Sequence, residues 1–455
     1  MAVRMLESAA GVVMDGWARV RREIAAVAQK TPPQIRQSWL RRASALLCYH
    51  AEQSRNSAYR ELLAEADLDP ARPGQWSQVP VIDKYWLAKA GYDRQPACPG
   101  PVLIVGTSGS TAAQVLVPVT ARSANRGLGD NFLRALVMSG VGPGQRHWGI
   151  EHRPDGQAEG QGETGSSISM TWLARHCGDN ALVTVATDPL AEQLRRAGAF
   201  GPDTISGSPG FLQQVAREAD GLGPRLLMYG GAALAGSDAG RLRARFPEAR
   251  LAAFYPTTDA GALGVAADSD GIYRTFSETH FIEVLDAAGQ HVPAGSRGDV
   301  VVTQFGARAA PIIRYRVGDR ATYRGWAEGR LLLSGIERAA EAAIGSTLVP
   351  YRDLQTWAPR LAAYDPAVVA VQLVRVYSLE DQREQPVVRV IGGAGRAELA
   401  ARALALLDEF PQVAAEVASG ELAPPRVEFR DPPATLAGHW KIPYYVDERG
   451  QCRND

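Results

Sequence analysis

At 455 residues, with 45% hydrophobic and 22% charged side chains, the chain is long enough for more than one domain and ordinary in composition for a globular protein. Lys+Arg and Asp+Glu both total 49, so the formal charge is zero and neither nucleic acid nor a membrane surface is indicated as a partner. All but four of the basic residues are arginine, a bias typical of GC-rich bacterial genomes, and Cys48, Cys98, Cys177 and Cys452 form no CxxC pair, which fits reduced thiols in a cytoplasm.

The N-terminus carries Arg4, Glu7, Asp15 and Arg19 among its apolar residues, unlike a signal peptide, and no apolar run approaches the ~18 residues of a membrane helix. From Ser38 to Asp67, apolar residues at helical spacing (Leu40, Ala43, Leu46, Leu47) predict two helices ending near Pro70–Gly74. After Val102, strands and helices alternate: strand over Ala181–Ala186, helices over Pro189–Ala199 and Gly210–Ala219, strand over Arg225–Tyr229, helix over Ser237–Phe246, strand over Arg250–Tyr255. That alternation predicts an α/β fold with parallel strands. Phe281–Leu285, Asp299–Phe305 and Ala321–Tyr323 read as strands of a more antiparallel region, with turns at Ala287–Gly289 and Pro293–Gly298. Strands near Val368–Val376 and Pro386–Ile391 and a helix over Ala397–Glu409 predict a smaller α+β domain, giving 1–334 and 335–455 as the two domains.

Four stretches carry candidate chemistry. Thr107-Ser108-Gly109-Ser110-Thr111 interrupts an apolar run with hydroxyls and backbone N–H groups, which suits either a polyphosphate cradle or a hairpin turn. It is not a P-loop, because no Gly-Lys pair follows Gly106 or Gly109. Tyr255-Pro256-Thr257-Thr258-Asp259 leaves a predicted strand; its aromatic ring could stack on a purine and its Thr-Asp pair hold phosphate and Mg²⁺, or Asp259 could cap a helix. In Arg314-Tyr315-Arg316-Val317-Gly318-Asp319, the aspartate is either a ribose-hydroxyl acceptor or a turn residue. Lys441 is either a solvated charge or a cation on a mobile element that stabilises developing negative charge. His147, His152, His176 and Cys177 could ligate a metal, but their spacing matches no metal pattern.

Taken in order and spacing, these four stretches resemble the motifs of the adenylate-forming superfamily of acyl-CoA ligases, adenylation domains and luciferases. TSGSTAAQVLVPVT is similar to its phosphate loop, YPTTD to its Tyr-Gly-x-Ser/Thr-Glu motif, RYRVGD to its Tyr-Arg-x-Gly-Asp motif, and Lys441 to its adenylation lysine. Residues 46–70, VPVIDKYWL at 79–87 and HFIEVLDAAGQHVPAGSRGDVVVTQF at 280–305 resemble the phenylacetate-CoA-ligase-like branch. The resemblance implies a large N-terminal domain of α/β subdomains plus a β-rich subdomain, and a small mobile α+β C-terminal domain. It implies adenylation of a small, aromatic carboxylic acid by ATP with Mg²⁺, then transfer to CoA or an amine, in bacterial secondary metabolism.

Residue by residue, the resemblance implies that Thr107–Thr111 hold the β- and γ-phosphates and that Gly230, Gly231 and Ala232 lie against adenine with Tyr255 on its other face. Thr258 would touch the α-phosphate, Asp259 would bind Mg²⁺ where the family has Glu, Asp319 would take the ribose hydroxyls, and Lys441 would bridge α-phosphate and attacking carboxylate. His147, Trp148, Ser208, Phe211 and Phe254 are the expected acyl pocket. Ala112 and Ala113 replace a usual Gly and cation, and Ile336 stands at an expected hinge Arg, with Arg338 its candidate replacement. Two other readings stay open on these residues: a nitrite-activating diazotase of the same fold, and a ligase-like binding protein without catalysis.

Overall fold

The computed structural model describes residues 16–69, 73–106, 116–151, 165–234, 236–267, 270–339, 341–378, 380–393, 396–432, 442 and 444–448. The chain divides into two compact units, one drawn from residues up to Glu337 and the other from Arg338 onward, with Leu234–Arg241 grouped with the second. Thr107–Thr111, with Ala112 and Ala113, and Lys441 lie outside the described residues.

The first unit opens on helices Gly16–Ala28 and Pro32–Cys48. The second starts earlier than the apolar spacing predicts, because Thr31 and Gln34 form a capping box and Pro32 occupies the first helical position, where a missing N–H costs nothing. A hairpin of β1 (Leu103–Gly106) and β2 (Leu116–Val119) follows, paired antiparallel with Gly106 opposite Leu116.

An eleven-stranded sheet organises the unit. Its parallel half comprises β3 (His147–Glu151), β4 (Ala181–Val185), β5 (Thr204–Gly207), β6 (Leu226–Gly230) and β7 (Arg250–Thr257), in the spatial order β4-β3-β5-β6-β7. Helices Leu190–Phe200, Pro209–Glu218 and Gly236–Arg245 connect β4 to β5, β5 to β6 and β6 to β7, as the alternation predicts.

At β7 the sheet turns antiparallel. β8 (Gly261–Ala266), β9 (Tyr273–Thr275), β10 (His280–Leu285), β11 (Arg297–Gln304), β12 (Tyr315–Ala327) and β13 (Arg330–Arg338) continue it in the order β7-β8-β9-β13-β12-β11-β10. β8 was not legible as a strand: GALGVA has little β-branched character, and every one of its residues is buried between paired neighbours. β12 extends the predicted Ala321–Tyr323 to both sides, and its turn into β13 uses Glu328 and Gly329, both with positive φ as a tight hairpin requires.

In the second unit, β14 (Glu341–Ile344) and β15 (Thr347–Pro350) form a hairpin, and helix Tyr351–Tyr364 leads into a four-stranded sheet. That sheet has β16 (Val368–Ser378) and β17 (Arg383–Gly392) antiparallel at its centre, flanked in parallel by β19 (Tyr445–Asp447) and β18 (Arg426–Arg430) respectively. Helices Arg396–Leu404 and Pro411–Ser419 and the Trp357 ring close its core of Val371, Leu373, Val388, Val390 and Leu399. Among the described residues, no helix is long and apolar enough to cross a membrane.

Candidate functional site

In a parallel sheet the strands' C-terminal ends leave backbone groups and loops facing one crevice, where ligands bind. Here β6 and β7 end side by side, with Gly230 paired to Phe254. A Cβ at Gly230 would approach the Phe254 carbonyl oxygen to 3.1 Å, and Gly231 takes φ +80°, so glycine at both positions leaves Gly230–Ala232 as bare, partly exposed backbone beside Tyr255.

Beyond Tyr255, β7 turns into β8 through a tightly held loop. Thr257 Oγ1 donates to the Gly261 carbonyl at 2.9 Å and accepts from the Ala260 N–H at 3.2 Å. His280 Nε2 donates to the Ala260 carbonyl at 2.7 Å, and Asn131 Nδ2 donates to the Ala262 carbonyl at 2.7 Å. Burial lowers the His280 pKa to about 4, so the ring that pins this turn is neutral. Thr258 and Asp259 are thereby presented, half-buried, at the tip of a loop whose backbone is fixed from below.

Asp319 arrives from the other direction. On β12, Tyr315, Val317, Asp319 and Ala321 are buried while Arg316 and Arg320 are exposed, so alternation puts a carboxylate on the inward face. The pairing is irregular here, β11 advancing from Asp299 to Val301 while β12 goes from Arg320 to Arg316, and Gly318 at φ +80° lies within the bulge, yet the alternation runs through it unbroken. An inward carboxylate is costly unless hydrogen-bonded, and the buried Tyr255 hydroxyl donates to Asp319 Oδ2 at 2.7 Å. The Tyr255 ring is thus held at its far end, edge-on to Tyr273 with centroids 5.9 Å apart. Burial pushes the Tyr273 and Tyr229 hydroxyls up, so both remain neutral.

A second tyrosine was missed in the sequence. Tyr315, fully buried on β12, donates its hydroxyl to Asp259 Oδ2. The signal was present: YPTTD and YRVGD share the spacing Tyr-x-x-x-Asp. Asp259 Oδ1 has no hydrogen-bond partner among the described residues. No group of three metal-ligating side chains occurs among them either, so Asp259 could hold a cation only with ligands supplied from elsewhere.

The residues expected at the acyl pocket make the following contacts. Trp148 and Phe211 are core residues, packed edge-to-face at 5.2 Å, with the Trp148 N–H donating to Thr184 Oγ1 at 3.0 Å. Ser208 caps helix Pro209–Glu218 through the Phe211 N–H. All three lie where strand β5 and its helix need packing and capping, which a single sequence does not distinguish from a pocket. His147, buried, and Phe254, half-buried, are packed similarly, both rings meeting Phe132 edge-on at 5.8 and 5.5 Å. His147 Nε2 contacts Ser206 Oγ at 2.9 Å, its Nδ1 has no hydrogen-bond partner among the described residues, and burial lowers its pKa to about 3. Arg338 ends β13, partly buried; beside it Glu337 pairs with Arg297 at 2.5 Å, and Ile336 packs on the core. Among the described residues, Cys48, Cys98 and Cys177 form no disulfide.

No protein-family model matches the sequence, and no curated protein matches it. Solved structures do. The chain is similar to 2-hydroxyisobutyryl-CoA ligase in the postadenylation state in complex with 2-HIB-AMP, at 18% identity over 91% of this chain and 90% of that one, with a TM-score of 0.63. The same ligase in the thioesterification state with 2-HIB-AMP and CoA gives 18% identity, coverage of 91% and 89%, and a TM-score of 0.57. Its open conformation gives 17%, 90% and 91%, and 0.56. The chain therefore has the fold of the adenylate-forming ligases.

Proposed function

We propose that this protein is an ATP-dependent ligase that adenylates a small carboxylic acid and passes the acyl group to a thiol or amine. The observation that carries the reading is the convergence, near the C-terminal ends of β6 and β7, of bare glycine backbone, a tethered tyrosine ring and two aspartates that each accept from a buried tyrosine hydroxyl. Gly230–Ala232 and the Tyr255 ring would sandwich a purine, and Asp319, already accepting from Tyr255, would take the ribose hydroxyls. Asp259 would ligate Mg²⁺ and Thr258 would donate to the α-phosphate. When bound, Mg²⁺ would neutralise phosphate charge.

In the first half-reaction, an acid carboxylate oxygen forms a bond to the α-phosphorus, the bond to the β-phosphate oxygen breaks, and pyrophosphate leaves. In the second, a sulfur or nitrogen nucleophile attacks the acyl carbon and AMP departs. We assign the β- and γ-phosphates to Thr107–Thr111 and the charge developing at the α-phosphate to Lys441, both from the sequence resemblance. The acid we favour is aryl, because Phe254, Phe132 and His147 form an aromatic chain leading from β7. CoA or an amine is the acceptor, and Mg²⁺ the metal.

Pyrophosphate exchange over a panel of aryl, aliphatic and hydroxy acids, with nitrite as a further arm, tests the first step. Exchange with an acid, abolished in Lys441→Ala while ATP still binds, supports the reading. Folded protein that exchanges with nothing in the panel sinks it. Mass spectrometry with CoA or amines then separates thioester from amide.

A further inference from the structure

The repeated Tyr-x-x-x-Asp spacing is not a coincidence of two separate motifs, because the fold crosses them. The β7 stretch contributes Tyr255 and Asp259, the β12 stretch contributes Tyr315 and Asp319, and each tyrosine hydroxyl donates to the other stretch's aspartate. Of the two bonds, that from Tyr315 has no assigned purpose. From its geometry we propose that Tyr315 is a positioning residue for metal binding by Asp259, a role that rests on the nucleotide reading above.

Tyr315 is rigid for reasons independent of Asp259. It is 1% exposed, and its backbone is bridged to Ile82: the Ile82 N–H donates to the Arg314 carbonyl at 3.1 Å and the Arg316 N–H to the Ile82 carbonyl at 2.8 Å. Its hydroxyl is therefore a fixed post. Asp259 sits on a loop tip, where a half-buried carboxylate with two free torsions would sample several orientations. By occupying Oδ2, the hydroxyl halts that rotation and leaves Oδ1 as the oxygen a cation would meet. Partners of this kind orient a metal ligand, and removing one costs typically 10–100-fold in metal affinity.

The test uses the full chain, with ATP titrated calorimetrically in EDTA and across a MgCl₂ series. Wild type is expected to bind ATP more tightly as Mg²⁺ rises. Tyr315→Phe, which keeps the buried ring, should hold the EDTA affinity within about twofold, which also certifies its fold, while the half-saturating Mg²⁺ concentration rises about tenfold or more. Asp259→Asn should lose the Mg²⁺ effect, and adding Tyr315→Phe to it should change nothing further, because the tyrosine acts only through that carboxylate. A wild-type Mg²⁺ response in Tyr315→Phe, alongside its loss in Asp259→Asn, overturns the positioning role and leaves the nucleotide reading standing. Wild type that binds no ATP, or an Asp259→Asn variant with an intact Mg²⁺ response, overturns the nucleotide or metal assignment and the positioning role with it.

Discussion

Glu278 is the residue whose loss should be felt most in the stability of the first unit. It lies in the turn after β9, 7% exposed, and its carboxylate meets Arg330 of β13 in a paired arrangement, at 2.6 and 3.0 Å. Arg134 Nε, from helix Asp130–Met138, lies 3.3 Å from the same carboxylate. Burial alone would push the Glu278 carboxyl up; Arg134 and Arg330 outweigh it and hold the group below the ordinary carboxylate range. Glu278→Gln leaves the buried Arg330 guanidinium without its counter-charge, whereas Arg134 retains Glu23. Breaking a buried pair from one side costs about 3–5 kcal/mol, against about 0–1 for an exposed one. At roughly 2–4 °C per kcal/mol for a large domain, the thermal midpoint should fall by about 6–20 °C. The control is Glu192→Gln, whose partner Arg195 is exposed, and it should shift the midpoint little. Replacing both Glu278 and Arg330 by methionine should recover part of the loss, since the orphaned cation is then removed too. Scanning calorimetry of the four proteins decides the matter: a Glu278→Gln shift no larger than the control's refutes the argument that this charge is unscreened and structurally required.

Acid should also erode stability through buried histidines. Burial depresses His50 and His280 to about 4 and His147 to about 3, so the neutral rings contribute stability that is complete above the unfolded value near 6.5 and is lost as pH falls toward 4. Each should cost up to roughly 1.4 kcal/mol per pH unit in that window, and urea midpoints that stay flat between pH 7 and 5 would contradict it. Gly261→Ala should destabilise by about 1–3 kcal/mol and weaken MgATP binding, because φ is +79° and the new Cβ would sit 2.8 Å from the Gly127 carbonyl oxygen under the Asp259 loop. Gly306→Ala, at φ +90° with open space around it, isolates the strain component, and an equal effect from both denies the clash. Asp319→Asn can still accept from Tyr255 but loses the charge that would face the ribose. It should weaken ATP binding roughly tenfold or more with a small change in thermal midpoint, and an unchanged titration removes Asp319 from the nucleotide site.

Local patterns in the chain were enough for most of the elements and for picking out the candidate site motifs. Alternating apolar runs, helical spacing and glycine turns predicted β4, β6, β7 and the helices between them, since those signals are short-range. The motifs at 255–259 and 315–319 could be picked out because each is a contiguous run. What those runs do to each other was decided by tertiary structure. β8 exists because its neighbours pair with a glycine-alanine stretch that has no strong preference of its own. Asp319 faces inward because the pairing of β12 with β11 fixes its phase, and a one-residue change of phase would reverse its side. Trp148, Phe211 and Ser208 went to the core and to a helix cap, where their apolar area and hydroxyl are also satisfied. The crossed tyrosine–aspartate bonds join residues 64 and 56 positions apart, a distance over which neither propensity nor spacing carries information and only the register of the sheet does.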